Sequence, residues 1–241
     1  MSSSKPQPRY KRVLVKLSGE ALGGDSEDIF CHETLGNIVE ALNGLVEEGI
    51  QVALVVGGGN IHRGGSFRSR AFDRITGDHM GMLATVINGL GLKSKLEERK
   101  IPTQVFSSIR VPLVCEEFTQ REALKSLEEN NVVIFVGGTS APFFTTDTAA
   151  VLRSIEMGCE VLMKATQVDG VYAEDPKKNP DAERYDELGY KDILARNLKI
   201  MDMPAVALAK EYQLPILVFA LKGRDCFRQV LLGEERFTLI Q

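Results

Sequence analysis

The chain has no tryptophan, and it carries only three histidines and four cysteines in 241 residues. His32, His62 and His79 show no HxxxH spacing, while Cys31, Cys115, Cys159 and Cys226 stand far apart with no CxxC pair. Such a pattern offers neither a metal-ligand set nor a disulfide framework, and reduced thiols in a cytoplasmic protein are expected. His62 and His79 read as packing residues or as supports for ligand-contacting neighbours. No apolar run approaches the ~18 residues of a membrane span. Residues 1–9, MSSSKPQPR, are polar with no apolar stretch behind them, which reads as a flexible tail ahead of a single domain over 10–241. The net charge of −4 excludes a surface built to coat nucleic acid or anionic lipid, so any handling of phosphate must be local. The common nucleotide fingerprints are missing too. GLGLKS at 89–94 puts Leu92 where a P-loop needs glycine, and no GxGxxG follows a strand.

What is present is an alternation. Short apolar runs, RVLVKL at 12–17, VALVV at 52–56, VVIFV at 132–136, VLM at 161–163 and ILVF at 216–219, are separated by segments of helical period. This is the grammar of βαβ units, an α/β fold with a parallel sheet covered on both faces and function at the carboxyl ends of its strands. Residues 34–48 place Leu35, Ile38, Val39, Leu42, Leu45 and Val46 on one helical face. Residues 78–97 are apolar round most of the helix, which predicts a second partner and hence a subunit interface.

Four strand exits carry the chemistry. The first ends in Lys16, Ser18 and Gly19, and the second runs through Gly57, Gly58 and Gly59 toward Arg63. The third leaves through Gly137 and Gly138 and enters a helix at Thr145, Thr146 and Asp147; the fourth presents Lys164 and Thr166 before Asp169 and Gly170. Each has an ordinary structural explanation: a strand-end lysine reaching for water, either threonine as a helix N-cap, an acid complementing a helix dipole. Together they describe a polyphosphate site, with glycine turns and helix N-termini offering N–H groups and lysines neutralising charge.

KLSGEAL at 16–22, GGGN at 57–60 with Arg63, GDHMGMLATVINGL at 77–90, PFFTTDTAAVLR at 142–153, KATQVDGVY at 164–172, DP at 175–176 and MDMPA at 201–205 closely resemble the bacterial uridylate (UMP) kinases of the amino acid kinase family. The resemblance runs in order from about Tyr10 to the end. It implies a three-layer αβα sandwich on a mostly parallel sheet. It also implies transfer of the γ-phosphoryl of ATP to UMP, giving ADP and UDP, in pyrimidine nucleotide biosynthesis. Mg²⁺ would arrive on ATP rather than on a protein ligand set. A homohexamer, inhibition by UTP and activation by GTP are implied as well.

By the same resemblance Lys16, Arg63, Asp147 and Lys164 are catalytic. Lys16, Leu17, Ser18, Gly19, Gly59, Arg63, Thr166, Tyr172 and Asp175 would contact ATP. Gly58, Asp78 and the loop Thr139, Ser140, Ala141, Pro142, Phe143, Phe144, Thr145 and Thr146 would contact UMP, with Asp78 on the ribose hydroxyls. A phosphate acceptor with a second pKa of about 6 is already ionised at neutral pH, so no general base is required.

Two positions depart from the family's pattern. Ser140 and Ala141 stand where the loop usually has glycine and asparagine, which shifts base recognition toward the backbone. Gln104 stands where a basic residue is expected for GTP, which weakens the expectation of activation. Asp202, two residues before Pro204, reads equally as a helix N-cap or as part of the site. The charged stretch at 174–187 reads as a solvated loop, and the resemblance places it over the adenine. Two rival readings remain at this stage: a kinase of the same fold acting on a carboxylate or carbamate, disfavoured by Asp78 within GDHMGM and by FFTTD, and a non-catalytic nucleotide module, expected to lack Lys16 or Asp147.

Overall fold

The computed structural model describes residues 10–23, 28–62, 72–196, 198 and 200–241. In chain order the elements are β1 (Arg12–Leu17), α1 (Glu20–Gly23), α2 (His32–Glu47), β2 (Gln51–Val56), α3 (Arg74–Glu98), β3 (Thr103–Ser107), β4 (Glu116–Glu117), α4 (Gln120–Glu128), β5 (Val132–Val136) and α5 (Thr146–Glu156). There follow β6 (Val161–Thr166), β7 (Val171–Tyr172), β8 (Arg184–Tyr185), β9 (Glu187–Leu188), α6 (Tyr190–Arg196), α7 (Met203–Glu211), β10 (Ile216–Ala220), α8 (Cys226–Leu232) and β11 (Phe237–Ile240). The tail at 1–9 and Arg63 lie outside the described residues.

The main sheet has the order β4-β3-β5-β2-β1-β6-β10-β11-β9, and every neighbouring pair is parallel except β10 with β11. A separate antiparallel pair, β7 with β8, stands beyond the end of β6. The five apolar runs of the sequence all became strands, and β1, β2, β5, β6 and β10 are the central ones. Their continuous hydrophobicity follows from burial on both faces. β3 was not anticipated, because TQVFS mixes polar and apolar residues. The short strands β4, β7, β8 and β9, at two residues each, are below what periodicity detects.

The alternation of side chains along β1 divides the core in two. Val13, Val15 and Leu17 join Leu35, Ile38 and Leu42 of α2 and Phe227 of α8 on one face. Leu14 joins Ala150 and Val151 of α5 and Val206 of α7 on the other. By that alternation Lys16 shares the α5 face with Leu14. On β6, Val161 and Met163 belong to the first cluster and Leu162 to the second, so Lys164 shares the α5 face as well. Both lysines are thus delivered to one side of the sheet by the same two-residue period.

α3 is the longest helix among the described residues, 25 residues beginning four before the expected start. It buries Met82, Val86, Leu92 and Leu96 and leaves Ile75, Leu83 and Ile87 about half exposed, at 47%, 50% and 49%. No helix among the described residues is long and apolar enough to cross a membrane. Glycine lets α3 lie close to the sheet: a Cβ on Gly89 would stand 2.4 Å from Val136 Cγ1 on β5 and within 3.6 Å of Val105 and Ile134. The valine is β-branched, buried and unable to swing away. Gly89→Ala is expected to lower stability by about 1–2 kcal/mol in urea unfolding, because overpacking outweighs the ~1 kcal/mol gain in helix propensity.

Candidate active site

β1 and β6 are neighbours, and their register sets Lys16 opposite Lys164. Two ammonium groups on one face, with side chains only 10% exposed, need a counter-charge. It comes from Asp147 in the first turn of α5: Oδ1 lies 3.0 Å from Lys16 Nζ and Oδ2 accepts from Lys164 Nζ at 2.6 Å. Lys164 also donates to the Ile200 carbonyl at 2.6 Å. Burial alone would push the Asp147 carboxyl up, but the two ammoniums outweigh it and hold the group below the ordinary carboxylate range. Burial moves Lys164 down from its usual value; Asp147 opposes that shift and the nearby Lys16 adds to it.

Of the two threonines before Asp147, Thr145 is the N-cap, its hydroxyl accepting from Asp147 N at 3.1 Å. Asp202 occupies the N-cap position of α7 but makes no side-chain cap bond. Its Oδ2 accepts instead from Thr148 Oγ1 on α5 at 2.5 Å, and its Oδ1 is buried without a hydrogen-bond partner. Asp202 also favours the charged form of Lys164. Its role is therefore to tie α7 to α5 beside the lysines, and capping does not describe it.

The first two strand exits press against each other. Gly57 N donates to the Leu17 carbonyl at 2.9 Å, and a Cβ on Gly19 would fall 2.4 Å from Gly59 N. A Cβ on Gly58 would fall 2.8 Å from both Ala84 Cβ and the Gly81 carbonyl of α3. Only glycine fits at either place. Ser18 Oγ accepts from Ala21 N at 3.2 Å, starting α1. Asn88, fully buried on α3, holds the glycine turn by donating to the Gly57 carbonyl and to Asn60 Oδ1, each at 2.7 Å.

Three cavities open at this edge. One of about 480 Å³ is lined by Ser18, Glu20, Thr166 and Lys177 among others. The smallest, about 340 Å³, is lined by Gly58, Asp78, Thr139, Phe144, Thr145 and Thr146 of the expected acceptor set, with Arg74 and His62 beside them. Ser140, Ala141, Pro142 and Phe143 sit on the same loop outside that lining. Ser140 and Phe143 adopt left-handed backbone, with φ of 64° and 75°. Asp78 accepts from Arg74 Nε at 2.8 Å and from Phe143 N at 2.7 Å. Burial would raise its pKa, yet these partners lower it.

The largest cavity, about 600 Å³, is lined by Lys164, Thr166, Tyr172 and Asp175 of the expected ATP set, together with the apolar Leu198, Ile200 and Val218. Tyr172 donates to Asp169 Oδ1 at 2.5 Å, which raises the phenol and lowers the acid. Thr166 closes a tight turn by donating to the Val168 carbonyl at 2.7 Å. The Lys16–Asp147–Lys164 cluster stands between the largest and the smallest: Lys164 lines the former, and Thr145 and Thr146, just before Asp147, line the latter.

Sequence reasoning missed Arg74, Thr85, Asn88, Ser108 and Arg153. Asn88 did leave a signal, an amide within an otherwise apolar stretch of α3, where a buried polar group must have a partner. Arg74 pairs with Asp78 one turn on in the same helix, a spacing visible in the sequence, whereas Thr85, Ser108 and Arg153 make bonds that cross between elements distant in the chain.

Comparison with known proteins accords with this geometry. The sequence profile of the amino acid kinase family matches residues 11–220. A protein of Agrobacterium fabrum named uridylate kinase is 50% identical, covering 100% of this chain and 99% of its own. Another of that name from Shewanella sp. strain W3-18-1 is 46% identical, covering 99% and 98%. Among solved structures, UMP kinase from Bacillus anthracis superposes with a TM-score of 0.92 at 39% identity, covering 96% of each chain. Uridylate kinase from Archaeoglobus fulgidus superposes with a TM-score of 0.72 at 26% identity, covering 95% of this chain and 99% of its own. With its sheet order, its paired strand-end lysines and relatives that match from end to end, this chain belongs to the amino acid kinase family.

Proposed function

We propose that the protein is a UMP kinase, transferring the γ-phosphoryl of ATP to UMP in the cytoplasm as a step of pyrimidine nucleotide synthesis. The observation that carries this reading is the placement of two buried lysines, bridged by one aspartate, between cavities of about 600 and 340 Å³. Relatives named uridylate kinase support the choice of acceptor.

The acceptor phosphate is largely ionised at pH 7, so the difficulty is electrostatic: two polyanions must approach, and charge spreads over three equatorial oxygens in transfer. Lys16 and Lys164 offer positive charge at that point, and the start of α5 adds its dipole. Asp147 holds both ammoniums in place. Leu17, Ser18, Gly19 and Gly59 would present backbone N–H groups to the ATP phosphates, with Arg63 assigned there from its motif. Thr166, Tyr172 and Asp175 would hold the nucleoside of ATP. Gly58, Asp78 and the loop from Thr139 to Thr146 would hold UMP, with Asp78 exchanging its Phe143 contact for ribose hydroxyls. Ala141 brings no amide to the base, so uracil recognition would rest on backbone groups.

Mg²⁺ belongs to this proposal as a cation carried by ATP. Asp147 fits as the carboxylate that would order it: a hard oxygen donor suits Mg²⁺, and its two oxygens stand beside the ammoniums that would meet the phosphates. When bound, the ion would neutralise phosphate charge. We further propose a homohexamer in which a second copy covers the exposed face of α3. UTP is proposed as an inhibitor, and GTP activation is expected to be small because Gln104 offers an effector no charge.

The test is ADP formation from ATP·Mg²⁺ with UMP, CMP, deoxy-UMP, acetylglutamate and carbamate offered singly. Turnover with UMP alone is expected, with Lys16→Ala reducing kcat by about 10²–10³ or more; turnover with acetylglutamate or carbamate and none with UMP would overturn the assignment. Asp147→Asn keeps the size of the side chain but removes the carboxylate that bridges two buried ammoniums, leaving only the more distant Asp202 beside Lys164. It is expected to cost about 3 kcal/mol in urea unfolding and to depress kcat without changing the fold seen by circular dichroism. Unchanged stability would show that the lysines do not depend on it.

A further inference from the structure

We propose that Arg153 is a positioning residue for the acceptor loop, acting through Ser108 on the carbonyl of Gly138. The inference rests on the reading of the smallest cavity as the acceptor site.

Arg153 lies in the last turn of α5 and is only 5% exposed. Its guanidinium carbon sits 3.7 Å from the centroid of the Phe118 ring, and Nη1 pairs with Glu156 on the same helix. Nη2 donates to Ser108 Oγ at 2.9 Å, and Ser108 Oγ donates to the Gly138 carbonyl at 2.9 Å. A guanidinium has only donors, so the serine hydroxyl must accept from Arg153 and turn its single proton to Gly138. The charge on the arginine strengthens both bonds. Burying a guanidinium is costly, and anchoring Ser108 explains what it does there.

Gly137 and Gly138 begin the acceptor loop, both in left-handed backbone, with φ of 78° and 58°. A Cβ on Gly137 would stand 3.0 Å from Ile109 N and 3.1 Å from Ser108 N, so the turn packs directly on the backbone after β3. On its other side Gly137 N donates to Thr85 Oγ1 of α3 at 2.7 Å. The turn is therefore clamped between α3 and α5. The α5 side of the clamp belongs to the helix that also carries Asp147. Six residues at a rise of ~1.5 Å separate the two functions on one rigid rod. The spacing between the charged cluster and the acceptor loop is set by α5.

Removing the bridge lowers the fraction of molecules whose loop is ready to bind, and apparent acceptor affinity falls by that fraction while ATP affinity does not. Ser108→Ala and Arg153→Met are each expected to raise the KM for UMP about tenfold, the worth of one charge-assisted hydrogen bond, with the KM for ATP unchanged. Arg153→Lys, which keeps a charged donor, is expected to recover part of the loss. Amide hydrogen exchange of the nucleotide-free protein is expected to quicken over residues 137–145 and to stay unchanged over α5. Equal increases in both KM values, or exchange over 137–145 matching the wild type in Ser108→Ala, would overturn the proposal. Ser108→Ala decides the matter if Arg153→Met does not fold. If the wild type phosphorylates no UMP while exchange changes as described, the functional reading fails and the bridge to the loop stands.

Discussion

The structure depends first on the pairing of Asp147 with Lys16 and Lys164. Two parallel strands in register each bring a buried ammonium to the same face, and like charges at such range repel. At an effective dielectric of ~20, unit charges ~4 Å apart interact on a scale of about 4 kcal/mol, comparable to the net stability of a domain. One carboxylate facing both ammoniums turns repulsion into attraction. The N-terminus of α5 is thereby held at the ends of β1 and β6. The cavities on either side inherit their positions from that point.

Close approach of backbone is the second constraint. Gly19, Gly58 and Gly89 each stand where a Cβ would meet its neighbours at 2.8 Å or less. Gly58 and Gly89 let α3 settle on the strand exits, and Gly19 lets the first exit touch the second. Once α3 is that close, its polar residues reach the loops: Asn88 grips the turn after β2 and Thr85 the turn after β5. Polar groups on an otherwise apolar helix thus serve to shape the loops at the site. The opposite side of α3, with Ile75, Leu83 and Ile87, remains half exposed.

Asp202 and Arg153 show how α5 is fixed along its length. Near the start, Thr148 ties it to α7 through Asp202; near the end, Arg153 ties it to the loop after β3 through Ser108. Each bond gives a charged group one specific partner, Asp202 Oδ2 with Thr148 and Arg153 Nη2 with Ser108, while Asp202 Oδ1 and Arg153 Nε stay buried without one. An apolar contact would bury the same surface without setting orientation so narrowly.

The sequence by itself determined the α/β class, the five central strands and four of the strand exits, because short continuous apolar runs and glycine-rich turns are local properties. The face that each strand-end lysine takes came from the structure, where alternation along β1 and β6 sorts their residues between the two core clusters. Motif order made Asp78, the 139–146 loop and the Thr166–Asp175 region legible as site candidates, and the cavities now hold Asp78, Thr166, Tyr172 and Asp175 on their walls. Only the tertiary structure decided that β1 and β6 are neighbours in a register that opposes Lys16 to Lys164, that Thr145 rather than Thr146 caps α5, and that Asp202 bonds Thr148 instead of its own helix. It alone brought Ser108, Gly138 and Arg153 together, from three elements separated by 30 and 45 residues of chain from Ser108. The physical reason is the same in each case: periodicity and turn chemistry act over a few residues, whereas strand pairing and buried hydrogen bonds join parts of the chain whose proximity no local pattern encodes.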